Sequence, residues 1–365
     1  MMRLKSLSFK ENFHRNDTNP WELEKLSIGE RTLIVGKNAT GKTRITNVIH
    51  NIARLINNPQ IFNTQWNGEW IASFTDEHEN AFEYSLSCEN GRITNEQILI
   101  SGEKKLVRSL SSVQIYSEKD SGLQKISPPN DRLVLHVRRD QNEFPFLESL
   151  ISWANGVRGF SFANTSPNLI EIPGNLFQLT SLNAVPSALE KLSEQQLHNV
   201  LKKLEYMGYF LETASTGLVE GFPPYMKIIF LKEKGISQAL KQFDISQGMF
   251  RAFSMLTIIE YLSSHHDIGT ILVDDFGEGL DFERSKKLAE LIFKEKTGSK
   301  VQFIATSNDP FLMNVVPLTD LTICFRSTHI VKCLNYLNSK EKFDEWQQLG
   351  LNNFDLFSSN YLLSQ

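Results

Sequence analysis

One short segment of this 365-residue chain restricts its possible folds more than any other feature: Gly36-Lys37-Asn38-Ala39-Thr40-Gly41-Lys42-Thr43. The apolar run Thr32-Leu33-Ile34-Val35 leads directly into it. Apolar residues recur after it at helical spacing, namely Ile45, Val48, Ile49, Ile52 and Ile56. Glycines let backbone N–H groups curl around an anion, and the start of the helix adds the positive end of its dipole. The order strand, glycine loop, helix therefore predicts a P-loop in which these eight residues bind the phosphates of a nucleotide.

Two side chains at the end of this loop have a predicted chemical role. We expect the Lys42 ammonium to reach the β- and γ-phosphates and the Thr43 hydroxyl to bind Mg²⁺. ATP and Mg²⁺ are thus the expected ligands.

A second apolar segment, Thr270-Ile271-Leu272-Val273, ends in the carboxylates Asp274 and Asp275. Mg²⁺ prefers hard oxygen ligands and keeps part of its water shell, so Asp274 is predicted to hold the metal through water. Asp275 is the candidate that orients or deprotonates the attacking water. An apolar strand that ends in acids is weak evidence alone, and its weight comes from the P-loop upstream.

Three further polar stretches lie near predicted element ends. Ser246-Gln247-Gly248 precedes an apolar helix, where a serine and a glycine are also explained as an N-cap and a tight turn. Gly277-Glu278-Gly279-Leu280-Asp281 follows the two carboxylates, and Asn308 follows the apolar strand that begins at Val301.

The order of these parts resembles that of ABC-type ATPase heads, in the RecF/SMC/OLD-like group of stand-alone bacterial AAA ATPases from genome-defence or repair loci. The resemblance covers roughly residues 1–56 and 226–325. It implies an α/β P-loop NTPase fold with an ABC-type two-lobe head. Outside the resemblance, alternating apolar stretches over about residues 66–137 predict an antiparallel β lobe, and helical apolar spacing over about residues 143–215 predicts a helical insertion. The resemblance also implies that Ser246, Gln247 and Gly248 form a signature motif facing the γ-phosphate on a second subunit, and that Asp281 belongs to a D-loop at the interface. ATP binding is then expected to drive formation of a homodimer or a higher oligomer.

The resemblance and the apolar patterns together divide the chain into four segments. Residues 1–137 would form lobe I, with the P-loop and an antiparallel β lobe that includes Leu133–Val137 as a strand. Residues 138–225 would be a mainly helical insertion, residues 226–325 lobe II, and residues 326–365 a C-terminal extension. The N-terminal alternation from Leu4 to Phe9 suggests an edge strand.

Two positions depart from the family pattern. Asp275 stands where these heads usually have glutamate, and Asn308 stands where they usually have a switch histidine. The shorter carboxylate would sit farther from its target, and asparagine cannot accept a charge-switching proton. Both changes predict slow hydrolysis and a long-lived ATP state. The glutamine that couples the nucleotide to the insertion stays open between Gln141 and Gln114.

Composition adds the expected setting. Three cysteines, Cys88, Cys324 and Cys333, are too few and too scattered for a disulfide framework, which favours buried thiols and a reducing cytoplasm. Apolar runs are too short to span a membrane, so a soluble cytoplasmic protein is expected. The net charge of −4 neither shows nor excludes a local nucleic-acid-binding patch.

The leading functional prediction is an ATP-switched head that senses DNA or RNA or controls a separate effector protein, in bacterial antiphage defence. A RecF/SMC-like DNA repair ATPase is the alternative within the group. A P-loop small-molecule kinase is the alternative of another class, and the ATPase subunit of a membrane transporter is disfavoured because those heads are shorter.

Overall fold

In the computed structural model of the chain, the described residues are 2–11, 20–58, 67–76, 79–170, 182–221, 223, 226–264, 269–295, 301–359 and 361–363. Their strands are β1 Arg3–Lys10, β2 Glu22–Ser27, β3 Arg31–Gly36, β4 Gly68–Thr75, β5 Ala81–Glu89, β6 Arg92–Ile100, β7 Glu103–Arg108, β8 Val113–Ser117, β9 Gly122–Ile126, β10 Val157–Ser161, β11 Leu211–Leu218, β12 Lys227–Glu233, β13 Leu240–Lys241, β14 Thr270–Asp274, β15 Gln302–Ser307, β16 Leu321–Ser327 and β17 Ile330–Asn335.

Their α-helices are α1 Lys42–Asn57, α2 Val134–Val137, α3 Pro145–Asn155, α4 Val185–Leu189, α5 Glu194–Tyr206, α6 Gln247–Ser263, α7 Phe282–Ala289, α8 Pro310–Val315, α9 Lys340–Gln348 and α10 Asn353–Ser358. A π-helical turn, Glu290–Lys294, continues α7. None of the helices in the described part of the chain is long and apolar enough to cross a membrane.

Within the described ranges, one continuous sheet carries 14 strands in the order β10-β14-β15-β3-β16-β17-β2-β1-β4-β5-β6-β7-β8-β9. The run β10, β14, β15, β3, β16 is parallel, whereas β2, β1 and β4 to β9 pair antiparallel. The strands β11, β12 and β13 form a separate sheet. Ligands of open parallel sheets bind beyond the carboxyl ends of the strands, which here include the ends of β3, β14, β15 and β10.

The central parallel strands β3, β14 and β15 are buried on both faces, which explains their largely apolar sequences. Successive side chains of a strand point to opposite faces. In β3, Leu33 and Val35 therefore join the core cluster that contains α6, while Ile34 joins the cluster that contains α1. The fold is the α/β P-loop head predicted from the sequence.

Two local predictions are wrong. The first strand is not an edge strand, because β1 pairs with β2 on one side and with β4 on the other. Leu133–Val137 is not a strand: Leu133 precedes the helical turn α2. The fully buried Glu96 carboxylate of β6 accepts hydrogen bonds of 3.1 and 2.9 Å from Val134 N, and this acceptor at the start of α2 explains the helical turn. Burial raises the pKa of Glu96 to about 7.

The segment 138–225 holds the helices α3, α4 and α5, as expected, but also strands β10 and β11. β10 pairs in parallel with β14, with Ser161 opposite Asp274. This strand therefore belongs to the central sheet and not to an insertion. The short sequence Val157-Arg158-Gly159-Phe160-Ser161 conceals it, because a charge and a glycine interrupt the apolar pattern.

The prediction of three buried thiols is wrong for two of them. Cys324 of β16 and Cys333 of β17 lie opposite each other in the antiparallel pair and form a disulfide. They are nine residues apart in the chain, on two strands joined by a tight turn, which brings their side chains together. Cys88 is a buried free thiol, and burial raises its pKa to about 12.

Candidate functional site

The loop between β3 and α1 has the shape that an anion requires. Gly41 precedes α1 with φ 99°, and Ala39 has φ 64°, in the left-handed region that favours glycine. A side chain at Gly36 would begin 2.5 Å from Thr40 Oγ1 and 3.0 Å from the Cys324 carbonyl oxygen. β16 therefore packs against the back of the loop. The Thr40 hydroxyl stabilises the loop by donating a hydrogen bond of 2.8 Å to the Lys37 carbonyl.

Lys42 lies across this loop. Its Nζ donates 2.8 Å to the Gly36 carbonyl and 3.3 Å to the Lys37 carbonyl, and the residue is only 7% exposed. Burial lowers the pKa of the Lys42 ammonium, while the charges of Asp275 and Asp274 oppose that shift. The ammonium is therefore largely desolvated beside two carboxylates, where an anionic ligand gains more from it than it would in water.

The Asp274 carboxylate connects three elements. Its Oδ1 accepts a hydrogen bond of 3.1 Å from the Thr43 hydroxyl of α1 and one of 2.6 Å from the Thr306 hydroxyl of β15. Parallel pairing of β14 with β15 and of β15 with β3 brings these ends together. The structure therefore places the two residues predicted to hold Mg²⁺, Thr43 and Asp274, in direct contact.

Asp275 follows the strand end with φ 53° and donates its N–H 3.0 Å to Thr306 Oγ1. Burial raises the pKa of the Asp275 carboxyl, as do Asp274 and Glu278, and the charge of Lys42 opposes them. Asn308 is exposed and directly follows β15, the strand between β3 and β14. Both predicted catalytic candidates thus lie at the edge of the sheet that carries the P-loop.

A second group of predicted residues shares another surface. Ser246 is the N-cap of α6, and its Oγ accepts a hydrogen bond of 3.4 Å from Met249 N. A side chain at Gly248 would meet the Gly279 carbonyl at 3.4 Å and Leu280 Cδ2 at 3.5 Å, so the start of α6 packs on the segment before Asp281. Ser246 and Gln247 are exposed, and no hydrogen bond or ion pair found among the described residues joins either one to Lys42 or Asp274.

Asp281 is the N-cap of α7 and lies beside that surface. Its Oδ1 accepts a hydrogen bond of 3.1 Å from Arg284 N, and its Oδ2 pairs with the Arg284 guanidinium at 2.6 Å. The guanidinium lies 4.2 Å from the ring centre of Tyr209. The start of α6 therefore packs on the segment that leads to Asp281, and none of the described hydrogen bonds or ion pairs joins the predicted signature or D-loop residues to the P-loop.

Sequence reasoning missed three residues near Asp274: Thr306, which donates a hydrogen bond to it, Ser161, which lies opposite it on β10, and Asn164. A hydroxyl in a buried strand carries no motif, and β10 itself went unrecognised. Neither glutamine candidate is on a strand beside β14: Gln114 is on β8, near the far end of the sheet, and Gln141 lies between α2 and α3. Ser161 ends β10, the strand beside β14, and Asn164 follows it.

Two cavities flank the P-loop. A cleft of about 270 Å³ lies between α1 and β10 and is lined by Thr43, Thr46, Asn47, His50, Gly159, Phe160, Ser161, Asn164, Leu272 and Asp274. A larger cavity of about 520 Å³ lies on the other side, lined by Lys37, Asn38, Ala39, Thr40, Ile323, Cys324, Phe325, Arg326, Thr328, Phe357, Ser359 and Leu363. Its volume is in the range of small-molecule sites.

The donor set fits Mg²⁺ bound together with a nucleotide. In the described ranges there is no cluster of three or more His, Cys, Asp or Glu side chains that would cage a metal. Mg²⁺ in nucleotide sites takes one or two protein oxygens and completes its shell with phosphate and water. Thr43 Oγ1 and Asp274 Oδ1 offer such a pair.

Comparison with known proteins agrees with this geometry. Residues 31–314 match the family described as "AAA domain, putative AbiEii toxin, Type IV TA system". None of the curated protein sequences compared with the chain matches it.

Two solved structures show a similar fold. One is an SMC head bound to the C-terminal winged-helix domain of ScpA: it is 12% identical, and the likeness covers 93% of this chain and 99% of that chain with a TM-score of 0.53. The other is the Pyrococcus furiosus SMC head with an extended coiled coil, bound to the C-terminal domain of ScpA: it is 11% identical, and the likeness covers 96% and 100% with a TM-score of 0.50. At such identities the likeness concerns the fold alone.

Proposed function

The chain belongs to the AAA-domain family described as putative AbiEii toxins of type IV toxin–antitoxin systems, and we propose that it binds Mg²⁺·ATP, hydrolyses it slowly and dimerises around it. The observation that carries the proposal is the Asp274 carboxylate, which contacts the P-loop residue Thr43 and the β15 residue Thr306 at once. Thr43 Oγ1 and Asp274 Oδ1 lie beside a desolvated lysine and a glycine loop. This arrangement suits a nucleotide whose phosphates carry a bound metal ion.

Each residue then has a role in binding or hydrolysis. Backbone N–H groups of Gly36 to Thr43 hold the phosphates, and Lys42 exchanges its carbonyl partners for phosphate oxygens. Thr43 and Asp274 hold Mg²⁺, which neutralises phosphate charge when bound. Asp275 orients or deprotonates the water, and Asn308 hydrogen-bonds the water or the γ-phosphate. The larger cavity beside Lys37–Thr40, with Phe325 and Phe357 among its lining, is the proposed space for the base and ribose.

Slow hydrolysis follows from two of these residues. The Asp275 carboxylate is one methylene shorter than a glutamate, and a misplacement on the order of 1 Å costs about a hundredfold in rate. Asn308 accepts and donates hydrogen bonds but does not titrate.

The dimer proposal rests on the separation between the two residue groups. Ser246, Gln247, Gly248 and Asp281 share a face that makes no bond to their own P-loop among the described contacts. A helix start with free N–H groups and a hydroxyl suits the γ-phosphate of a second copy. Each subunit would then supply half of two ATP sites.

For the biological role, the family description favours defence, in which an ATP-held dimer controls a separate effector or senses DNA or RNA. The alternative is a RecF/SMC-like DNA repair ATPase, with which the SMC-like fold is consistent. In the solved SMC structures the head is bound to a ScpA domain, which supports a protein partner docked on the head here as well.

The test of the enzymatic proposal is phosphate release from ATP and Mg²⁺ with no acceptor molecule added. We expect a measurable turnover below a few per second, and a loss of about a hundredfold or more in Lys42→Ala, which removes the buried cation. Turnover of tens per second would contradict slow hydrolysis. Turnover only after addition of a small-molecule acceptor would favour a kinase.

A further inference from the structure

Arg251 is a buried cation that the ATP site itself does not use. It lies in the second turn of α6, only 5% of its surface is exposed, and no carboxylate pairs with it among the described ion pairs. Its guanidinium instead donates to three backbone carbonyls. Nε donates 3.0 Å to Thr165, Nη1 donates to Glu278, and Nη2 donates to Ala163.

These carbonyls belong to two loops that leave the nucleotide edge of the sheet. Ala163 and Thr165 follow β10, and Phe162 N donates 2.9 Å to the backbone carbonyl of Asp274. Glu278 lies in the turn that leads from Asp275 to Asp281. Arg251 therefore joins the two loops beside the proposed Mg²⁺ ligand to the helix that begins at Ser246.

The arrangement is specific to a guanidinium. Its planar fork has five donors, whereas a lysine ammonium is a compact charge that cannot meet three carbonyls in these directions. Gly279 has φ 77°, and a Cβ on this residue would overlap Arg251 Nη1. The turn thus requires a glycine both for its backbone and for the approach of the guanidinium.

Stability alone does not account for this residue. Burying a charge that no carboxylate hydrogen-bonds carries a large desolvation cost, which the charge of Glu278 offsets only in part, and apolar residues of similar size are often equally stabilising in such places. A network of this kind is better suited to fixing one relative placement of the parts that it joins.

We propose that Arg251 is a positioning residue that couples occupancy of the ATP site in one subunit to the placement of the signature helix presented to the partner. The inference rests on the proposed dimer. Ligand binding at Asp274 acts on the loops after β10 and β14, and the Arg251 guanidinium transmits their placement to α6. Without the Arg251 side chain, each subunit still binds ATP, but the start of α6 and the D-loop no longer keep a fixed position relative to each other.

The experiment compares the wild type with Arg251→Met, Arg251→Lys and Gly279→Ala, and measures ATP affinity at low protein concentration, ATP-dependent dimerisation, and kcat and KM. We expect ATP affinity within about threefold of wild type. Dimerisation should require about 5- to 150-fold more protein, the usual range of a coupling between sites. kcat should fall while KM changes little, and lysine should not rescue it.

Lys203→Met is the matched control, since Lys203 forms an ion pair of 2.7 Å with Glu260 of α6 without reaching either loop. It should behave as wild type. Gly279→Ala retains the arginine but pushes its guanidinium out of place, because the added Cβ would overlap Nη1. This variant tests the proposal if Arg251→Met does not fold.

The outcomes separate the two proposals. A wild type that stays monomeric with ATP overturns the dimer and this inference with it. A wild type that dimerises, together with an Arg251→Met or Gly279→Ala variant that dimerises and turns over equally well, overturns the inference alone. Loss of ATP affinity in parallel with activity also overturns it, because the arginine would then support the ATP site itself.

Discussion

The Thr306 hydroxyl supports two parts of the site, although no sequence motif marks it. It is fully buried in β15, donates 2.6 Å to Asp274 Oδ1 and accepts 3.0 Å from the N–H of Asp275. A single side chain therefore fixes both the proposed metal ligand and the backbone of the proposed catalytic carboxylate. The left-handed backbone of Asp275, φ 53°, needs such support because it is costly for a residue other than glycine.

Replacing Thr306 with valine should impair hydrolysis without unfolding the protein. Valine has the same shape but neither donates to Asp274 nor accepts from Asp275, so both carboxylates lose their orientation. We expect kcat for ATP to fall by about a hundredfold. Thr306→Ser, which keeps the hydroxyl, should stay within about tenfold of wild type in the same phosphate-release assay. Equal activity of the valine variant would show that Thr306 does not position the site.

At this scale the sequence predicts the residues with motif chemistry and misses those that support them. Gly36, Lys42 and Asp274 can be recognised in the sequence because phosphate or metal binding explains these residue types near the end of an apolar strand better than packing does. Thr306, Ser161 and Arg251 do not stand out, since their function depends on which strand lies beside which. That adjacency is a property of the sheet order, and no local pattern contains it.

At the scale of elements, α6 is the part whose two proposed roles need to be separated. Its N-cap serine stabilises the helix, and its exposed start is also the proposed contact with the partner's γ-phosphate. Loss of a cap lowers stability by about 1 kcal/mol, so a simple deletion confuses the two roles.

Ser246→Asp distinguishes them. Aspartate caps helices as well as serine does and suits the helix dipole, so thermal stability should match the wild type. Its negative charge would oppose a phosphate at the helix start, and ATP-dependent dimerisation should therefore be lost. Ser246→Asn, an equally good but uncharged cap, is the control. An aspartate variant that dimerises normally with ATP would place the γ-phosphate elsewhere.

Strongly patterned elements could be predicted from the sequence, among them β3, α1, α6, β14 and β15. The failures are elements without a clear apolar pattern: β10 is interrupted by Arg158 and Gly159, and α2 exists because Glu96 lies at its start. In both places contacts distant in the chain decide the local structure.

At the scale of the whole molecule, the predicted site residues separate into two groups, one predicted from motif chemistry and one implied by the family resemblance. Lys42, Thr43, Asp274 and Asp275 meet at the sheet edge, whereas Ser246, Gly248 and Asp281 share another face. One copy therefore contains the P-loop that we propose binds phosphates and, at a separate place, a helix start suited to binding a phosphate. Arg251 lies between the two groups.

The central claim is that two copies complete each other's sites around ATP. The most direct measurement is light scattering during size-exclusion chromatography of Asp275→Asn, which should bind ATP but not hydrolyse it, with and without ATP and Mg²⁺. We predict twice the mass of one chain with ATP and one chain's mass without it, and no shift when Lys42→Ala is added. An Asp275→Asn protein that binds ATP at saturation and still elutes with the mass of a single chain would contradict the account.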